Sequence, residues 1–203
     1  KVYDEISPTP SDCLALVTRV PLGVVTAIVP WNFPLSTTAW KLAPSLATGN
    51  SVLLKPATNT PLSALRIAEL ATEAGLPDGV LQVLPGSGNS LGKHLALHMD
   101  IDGLTFTGST LVGKRLMEYS GKSNLKRTFL ELGGKSPNIV FADCNLEKAT
   151  SSAALAVFYN GGQTCTAGTR LIVEESIMDE FLLQLVEHAK AWMPNNPLNP
   201  ATT

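Results

Sequence analysis

The sequence predicts an α/β fold, a parallel sheet covered by helices on both faces and wound right-handed. Three observations carry that reading. The apolar runs are short and continuous rather than alternating, as strands buried on both faces require. Segments of helical periodicity separate them, and glycine or proline marks most boundaries.

Taken in order, residues 22–30 (LGVVTAIVP) form a buried strand, and residues 35–49 a helix closing on Gly49. Residues 50–56 are a short strand ended by Pro56. The helix over 60–75 has Thr60 as its N-cap, Pro61 at the first helical position and Gly75 as its C-cap. A strand over 79–86, a helix over 90–98, a strand over 101–108 and a helix over 109–121 follow. Residues 127–134 and 137–142 return to strand. Ligands of such sheets bind at the carboxyl ends of the strands. No internal repeat or low-complexity tract interrupts the pattern.

The 203 residues are 44% hydrophobic and 16% charged, with a net charge of −2, the balance of a soluble, well-packed protein. No basic cluster suggests a nucleic-acid face. No apolar run approaches the roughly 20 residues of a membrane span, and no signal peptide opens the chain. The 3 cysteines lack zinc spacing, so no metal site is expected and a reducing, cytoplasmic setting is the default. Lys1 at the start and the proline-rich end after residue 193 suggest a piece of something longer.

Cys165 stands among small and polar residues in "FYNGGQTCTAGTRL". Structural cysteines usually occupy apolar runs. Small neighbours let backbone and ligand approach, and nearby N–H groups favour a thiolate. A reactive thiol and an ordinary loop or helix-start cysteine are the two readings. "GSTLVGKR", from Gly108 to Arg115, has phosphate-loop spacing with Lys114, but Arg115 replaces the hydroxyl that would hold magnesium. Its weaker reading is a phosphate seat at Gly108, Ser109 and Thr110 on a helix N-terminus. "GNSLG" matches a nucleophile elbow at Ser90, yet His94 and His98 lie too near it and His188 lies on a polar helix face. Ser90 is better read as a helix cap. His94 and His98, with Asp100 and Asp102, read as a solvated helix end. Asn32, in "PWNFP", either caps the next helix or faces a ligand. Glu131, closing an apolar strand beside Gly133 and Gly134, is either a general base or half of a structural ion pair.

In order along the chain, "PWNFP", "GNSVLLKPA", "EAGLPDGVLQVLPG", "FTGST", "LELGGKSPNIVF" and "GGQTCTAGTR" resemble the aldehyde dehydrogenase superfamily. Within it, the nearest likeness is to enzymes oxidising amino- and γ-glutamylamino-aldehydes. The resemblance implies a modified Rossmann NAD(P)-binding domain over 22–133 and the start of a second α/β catalytic domain over 134–203. Residues 1–21 would form a hairpin used in a homodimer or homotetramer. Cys165 matches the nucleophile, Glu131 the general base and Asn32 the oxyanion donor. Lys55 matches the adenosine-ribose contact, Gly108 and Ser109 the pyrophosphate seat, and Trp31, Thr58 and Leu132 the rest of the cofactor groove. Phe33, Trp40 and Tyr159 match walls of an aldehyde tunnel, and Cys13 and Cys144 match nothing catalytic. The implied cofactor is NAD or NADP, and the implied partner is a small aldehyde. One departure stands out. Many members carry a glutamate after Lys-Pro that binds the adenosine ribose and repels a 2′-phosphate, whereas "LLKPATNTP" has Thr58 there. Two rivals remain: a nucleotide-binding protein using Gly108 to Lys114, and an inactive structural member of the fold.

Overall fold

A computed structural model describes residues 3–200 and 202, which fall into two compact units, Lys1–Glu131 and Leu132–Thr203. The first opens on a hairpin of β1 (Glu5–Ser7) and β2 (Ala15–Val17), antiparallel with Glu5 opposite Val17. Arg19 ties its ends, pairing with Glu5 and donating its backbone N–H to Asp4 Oδ1 at 2.8 Å.

The chain then builds a five-stranded sheet of β3 (Val24–Ile28), β4 (Ser51–Lys55), β5 (Leu81–Val83), β6 (Gly103–Gly108) and β7 (Arg127–Leu132). Their order is β5-β4-β3-β6-β7, with β3 parallel to both β4 and β6, and β4 parallel to β5. Winding therefore runs one way from β3 through β4 to β5, then crosses back to place β6 on the other side of β3. The gap between β3 and β6 is the topological switch point, where open α/β sheets bind ligands. Val25, Ala27 and Ile28 on β3 and Val52 and Leu54 on β4 are all buried. Both faces of these strands are covered, which is why their sequences are apolar without alternation.

Four helices make the crossovers: α1 (Pro34–Ala47), α2 (Leu62–Glu73), α3 (Lys93–Leu97) and α4 (Thr110–Gly121). Right-handed connections place α1 and α2 on one face and α3 and α4 on the other. Ala27, Val29, Leu42, Val52, Leu54 and Ala64 form the core beneath α1 and α2. Gly49 and Gly75 end α1 and α2 as expected, at φ of 80° and 93°. Each donates to the carbonyl three residues back, and the next residue donates to the one five back: Gly49 to Leu46, Asn50 to Ser45, Gly75 to Thr72 and Leu76 to Ala71. These paired bonds satisfy carbonyls that a bare helix end would leave open.

Two cap assignments need correction. Pro61, not Thr60, stands at the N-cap position of α2, and the buried Thr60 hydroxyl makes no hydrogen bond. The chain turns there through a backbone bond from Thr60 N–H to the Ala57 carbonyl instead. Ser90 lies inside a π-helical turn over Gly88–Gly92, and Ser87 is the capping residue, accepting from Asn89 N–H at 3.2 Å.

The second unit is a βαβ element followed by a further helix. Parallel β8 (Pro137–Val140) and β9 (Arg170–Val173) are joined through α5 (Leu146–Phe158), and α6 (Met178–Ala189) packs against α5. Asn145 caps α5 by accepting from Lys148 N–H at 3.0 Å. Val140, Ala153 and Phe181 are the buried centre, with Cys144, Leu146 and Leu171 packed around it. Among the described residues no helix is long and apolar enough to cross a membrane, and no cluster of potential metal ligands occurs.

Candidate active site

The carboxyl ends of β3, β4 and β6 open onto a cleft of about 560 Å³. The chain leaving β3 contributes Ile28, Val29, Pro30 and Trp31, and β4 contributes Lys55, with Thr58 from the loop after it. β6 ends at Thr107 and Gly108, and Ser109 begins α4, whose Val112, Leu116 and Tyr119 form an apolar wall. Of the residues expected to hold a cofactor, Trp31, Lys55, Thr58, Gly108 and Ser109 thus share one cleft. Leu132 ends β7 and opens the second unit.

Each position has a local cause. Gly108 lets the chain turn against the Phe106 ring, since a Cβ there would lie 2.4 Å from Phe106 Cζ. Ser109 is the N-cap of α4, with its Oγ accepting from Val112 N–H at 3.4 Å. The unpaired first N–H groups and the positive end of this 12-residue helix therefore lie at the cleft, a favourable seat for an anion. Lys55 is buried and donates to the Pro56 carbonyl at 2.9 Å, and burial lowers its pKa. Among the described residues no aspartate or glutamate lines the cleft, whereas Lys55, Lys93 and Arg115 do. Apolar walls, a helix N-terminus and cations fit a dinucleotide with a pyrophosphate at its middle.

Asn32 lies in the turn between β3 and α1, half-buried. The cap position of α1 belongs to Phe33, whose carbonyl accepts from the Thr37 N–H and hydroxyl. Glu131 stands near the end of β7 on its exposed face, with Arg127 and Phe129. Among the described residues it forms no close ion pair, and its charge acts on the buried Lys41. Trp40 is exposed on α1 and shares a smaller groove with Phe129 and Pro44.

Sequence reasoning missed Lys41. It lies on the inward stripe of α1 with Thr37, Thr38 and Leu42, and donates to Thr105 Oγ1 at 2.9 Å. Burial lowers its pKa to about 8, while the negative charge of Glu131 pulls it back up. The available signal was a lysine at the buried spacing of an otherwise apolar helix.

Cys165, half-buried, begins a turn in the second unit closed by a bond from Ala167 N–H to the Thr164 carbonyl. The approach runs through Asn160, Gly161 and Gly162, all in left-handed conformation at φ of 54°, 62° and 74°. A Cβ on Gly162 would lie 2.9 Å from the Val157 carbonyl oxygen. Tyr159, exposed, starts the same segment. The glycines are there because the chain reverses sharply between α5 and the cysteine. The three cysteines form no disulfide.

The competing motifs do not assemble. Lys114 does not line the cleft and Gly113 is buried within α4, so Gly108 to Lys114 forms no phosphate loop. His98 Nδ1 accepts from the Asp100 N–H, a local turn on an exposed surface.

A family model described as "Aldehyde dehydrogenase family" matches residues 1–203. The NADP/NAD-dependent aldehyde dehydrogenase PuuC of Escherichia coli (strain K12) is 59% identical over 204 residues, covering 100% of this chain and 41% of that protein. The crystal structure of the aldehyde dehydrogenase KauB from Pseudomonas aeruginosa superposes with a TM-score of 0.97 at 60% identity, covering 99% of this chain and 41% of that one. The gamma-glutamyl-gamma-aminobutyraldehyde dehydrogenase from Burkholderia cenocepacia J2315 superposes with a TM-score of 0.97 at 56% identity, covering 100% and 41%. The chain spans about two fifths of the length of the curated relatives it matches.

Proposed function

The chain belongs to the aldehyde dehydrogenase family, and from that premise we propose that its protein oxidises an aldehyde to a carboxylate with NAD(P)+ through a thioester on Cys165. The observation that carries this reading is the family match across residues 1–203, with Cys165, Glu131 and Asn32 all present in the sequence. The Cys165 thiolate attacks the carbonyl carbon, forming a C–S bond and an oxyanion. The Asn32 amide and the Cys165 backbone N–H donate to that oxyanion; one such donor is typically worth about 3 kcal/mol. Bound NAD(P)+ supplies the acceptor for the hydride that leaves the same carbon. Glu131 takes a proton from the water that attacks the resulting thioester, breaking the C–S bond and releasing acid and thiol.

The cofactor's residues are Trp31, Lys55, Thr58, Gly108 and Ser109, with Leu132 beside Glu131 in sequence. We assign residues 22–133 to cofactor binding and 134–203 to part of a catalytic domain. Phe33, Trp40 and Tyr159 would line the aldehyde's path. Likeness to the Burkholderia enzyme, named for a γ-glutamylamino-aldehyde, supports an amino- or γ-glutamylamino-aldehyde as substrate. The exposed apolar hairpin residues Ile6, Leu14 and Leu16 support a role for residues 1–21 in a homodimer or homotetramer. The 203 residues by themselves are expected to bind cofactor without steady turnover.

Rapid mixing of the full-length enzyme with aldehyde and NAD+ tests the chemistry. Glu131→Gln should give a burst of NADH and then stall, whereas Cys165→Ala should give none. Loss of the burst in both variants would place Glu131 earlier, in deprotonating the thiol. A full burst in Cys165→Ala would overturn the assignment of the nucleophile.

A further inference from the structure

We propose that Arg170 is a positioning residue for the nucleophile, holding the loop over 133–136 against the backbone of Cys165. The inference rests on the reading of Cys165 above and assigns a role to a side chain that takes no part in the chemical steps.

Arg170 opens β9 and stands opposite Pro137, the first residue of β8. Its backbone N–H donates to the Ser136 carbonyl at 3.3 Å, the bond that starts the parallel ladder. Its Nε donates to the Lys135 carbonyl at 2.8 Å. One residue thus takes two successive carbonyls of the loop, one through its main chain and one through its side chain. The carbonyl before them, on Gly134, accepts from Lys135 Nζ at 3.1 Å. Backbone that has left one strand and not yet entered the next has no ladder to satisfy it. Here a guanidinium supplies a donor, and a charged donor makes the stronger bond.

Cys165 meets the same loop. A Cβ built on Gly134 would lie 3.9 Å from the Cys165 carbonyl oxygen, at van der Waals contact, so Gly134 lies against the nucleophile's own backbone. From Cys165 to Arg170 the chain has little slack. Ala167 N–H donates to the Thr164 carbonyl at 3.1 Å, and Thr169 N–H to the Ala167 carbonyl at 2.8 Å. Ala167 and Gly168 are buried, and a Cβ on Gly168 would come within 3.1 Å of Asn138 Cβ. The turn is seated on β8, and Arg170 fastens its far end to the loop on which Cys165 rests.

The consequence falls on the oxyanion. In the reading above the Cys165 N–H donates to it, and such a bond weakens steeply when misdirected. Loosening the loop would let the Cys165 backbone swing while leaving the thiol free to react. Arg170 is exposed, so replacing it opens no cavity in the core.

The test compares two reactions of one thiol in the full-length enzyme. Iodoacetamide alkylates Cys165 by forming a C–S bond and expelling iodide, a reaction without an oxyanion. Attack on propanal or 3-aminopropanal creates one, and the first turnover of NAD+ to NADH reports its rate. A misplacement of about 1 Å can cost roughly 100-fold. Arg170→Ala should therefore slow the first turnover at least about tenfold, with the aldehyde KM and the alkylation rate each within about twofold. Arg170→Lys, which keeps a donor on a long stem, should recover part of the loss. An unchanged first-turnover rate constant in Arg170→Ala overturns the positioning role, whether or not the amplitude falls with the folded fraction. Equal slowing of alkylation would place the effect on the thiol itself, and overturns it as well. Both of those results leave Cys165 as the nucleophile. Failure of the unmodified enzyme to form NADH with either aldehyde overturns the reading of Cys165 and this inference together.

Discussion

Lys41 shows how one side chain carries two opposing demands. It is 9% exposed and surrounded by α1, β6 and the field of Glu131. Its pKa falls from 10.5 to about 8, with burial the larger cause and Glu131 acting against it. Below about pH 8 both folded and unfolded chains hold the proton, and the folded state bears the full cost of a buried ammonium. Between about 8 and 10.5 the unfolded chain holds more protons, so this residue's contribution to stability rises with pH. After allowing for solvent screening the change is about 2 kcal/mol. Chemical denaturation of wild type and Lys41→Met across that range should show wild type gaining on the variant by this amount. A difference that stays flat with pH would mean that Lys41 titrates normally. Any part of the lost bond to Thr105 that is independent of pH cancels from the comparison.

Among elements, the junction of α1 with β3 and β4 depends on the side chain of Asn50. Its Oδ1 accepts from the Leu22 and Gly23 N–H groups at 2.7 and 3.1 Å. Its Nδ2 donates to the Ser45 carbonyl at 3.0 Å and to Thr48 Oγ1 at 2.9 Å. One buried amide thus fastens the start of β3 to the end of α1, immediately before β4 begins. Asn50→Ala leaves two N–H groups and a carbonyl without these partners, and is expected to cost about 3 kcal/mol. A shift of the urea midpoint checks this, and a loss under about 1 kcal/mol would show that water replaces the amide readily. Asn50→Asp should recover the bonds to Leu22 and Gly23 but not those to Ser45 and Thr48.

At the scale of the whole molecule, each unit has its own buried centre: Ala27, Val52 and Leu54 in the first, and Val140, Ala153 and Phe181 in the second. Phe181 is fully buried, so Phe181→Ala should destabilise its unit by about 3–5 kcal/mol. Amide hydrogen exchange should then quicken in β8, β9, α5 and α6 while β3 and β4 keep their protection. Equal loss of protection in both units would reveal a single cooperative structure. The sequence by itself determined the parallel sheet, the order of strands and helices, and the glycines that end α1 and α2. Those features follow from local periodicity and from the left-handed backbone that Gly49 and Gly75 supply. It also singled out Cys165, Glu131 and Asn32, because polar and reactive side chains at the ends of apolar strands or within glycine-rich turns break the pattern around them. The caps at Thr60 and Ser90 were misread, since a favourable residue type does not guarantee a favourable angle, and backbone bonds and Ser87 served those turns instead. Only the tertiary structure decided that Lys41 points inward and that Lys55 and Lys93, far apart in sequence, line one cleft. It alone showed that, among the described residues, no carboxylate lines the cleft. Such facts depend on which residues distant in sequence become neighbours, and that is set by crossover handedness and packing rather than by any local run.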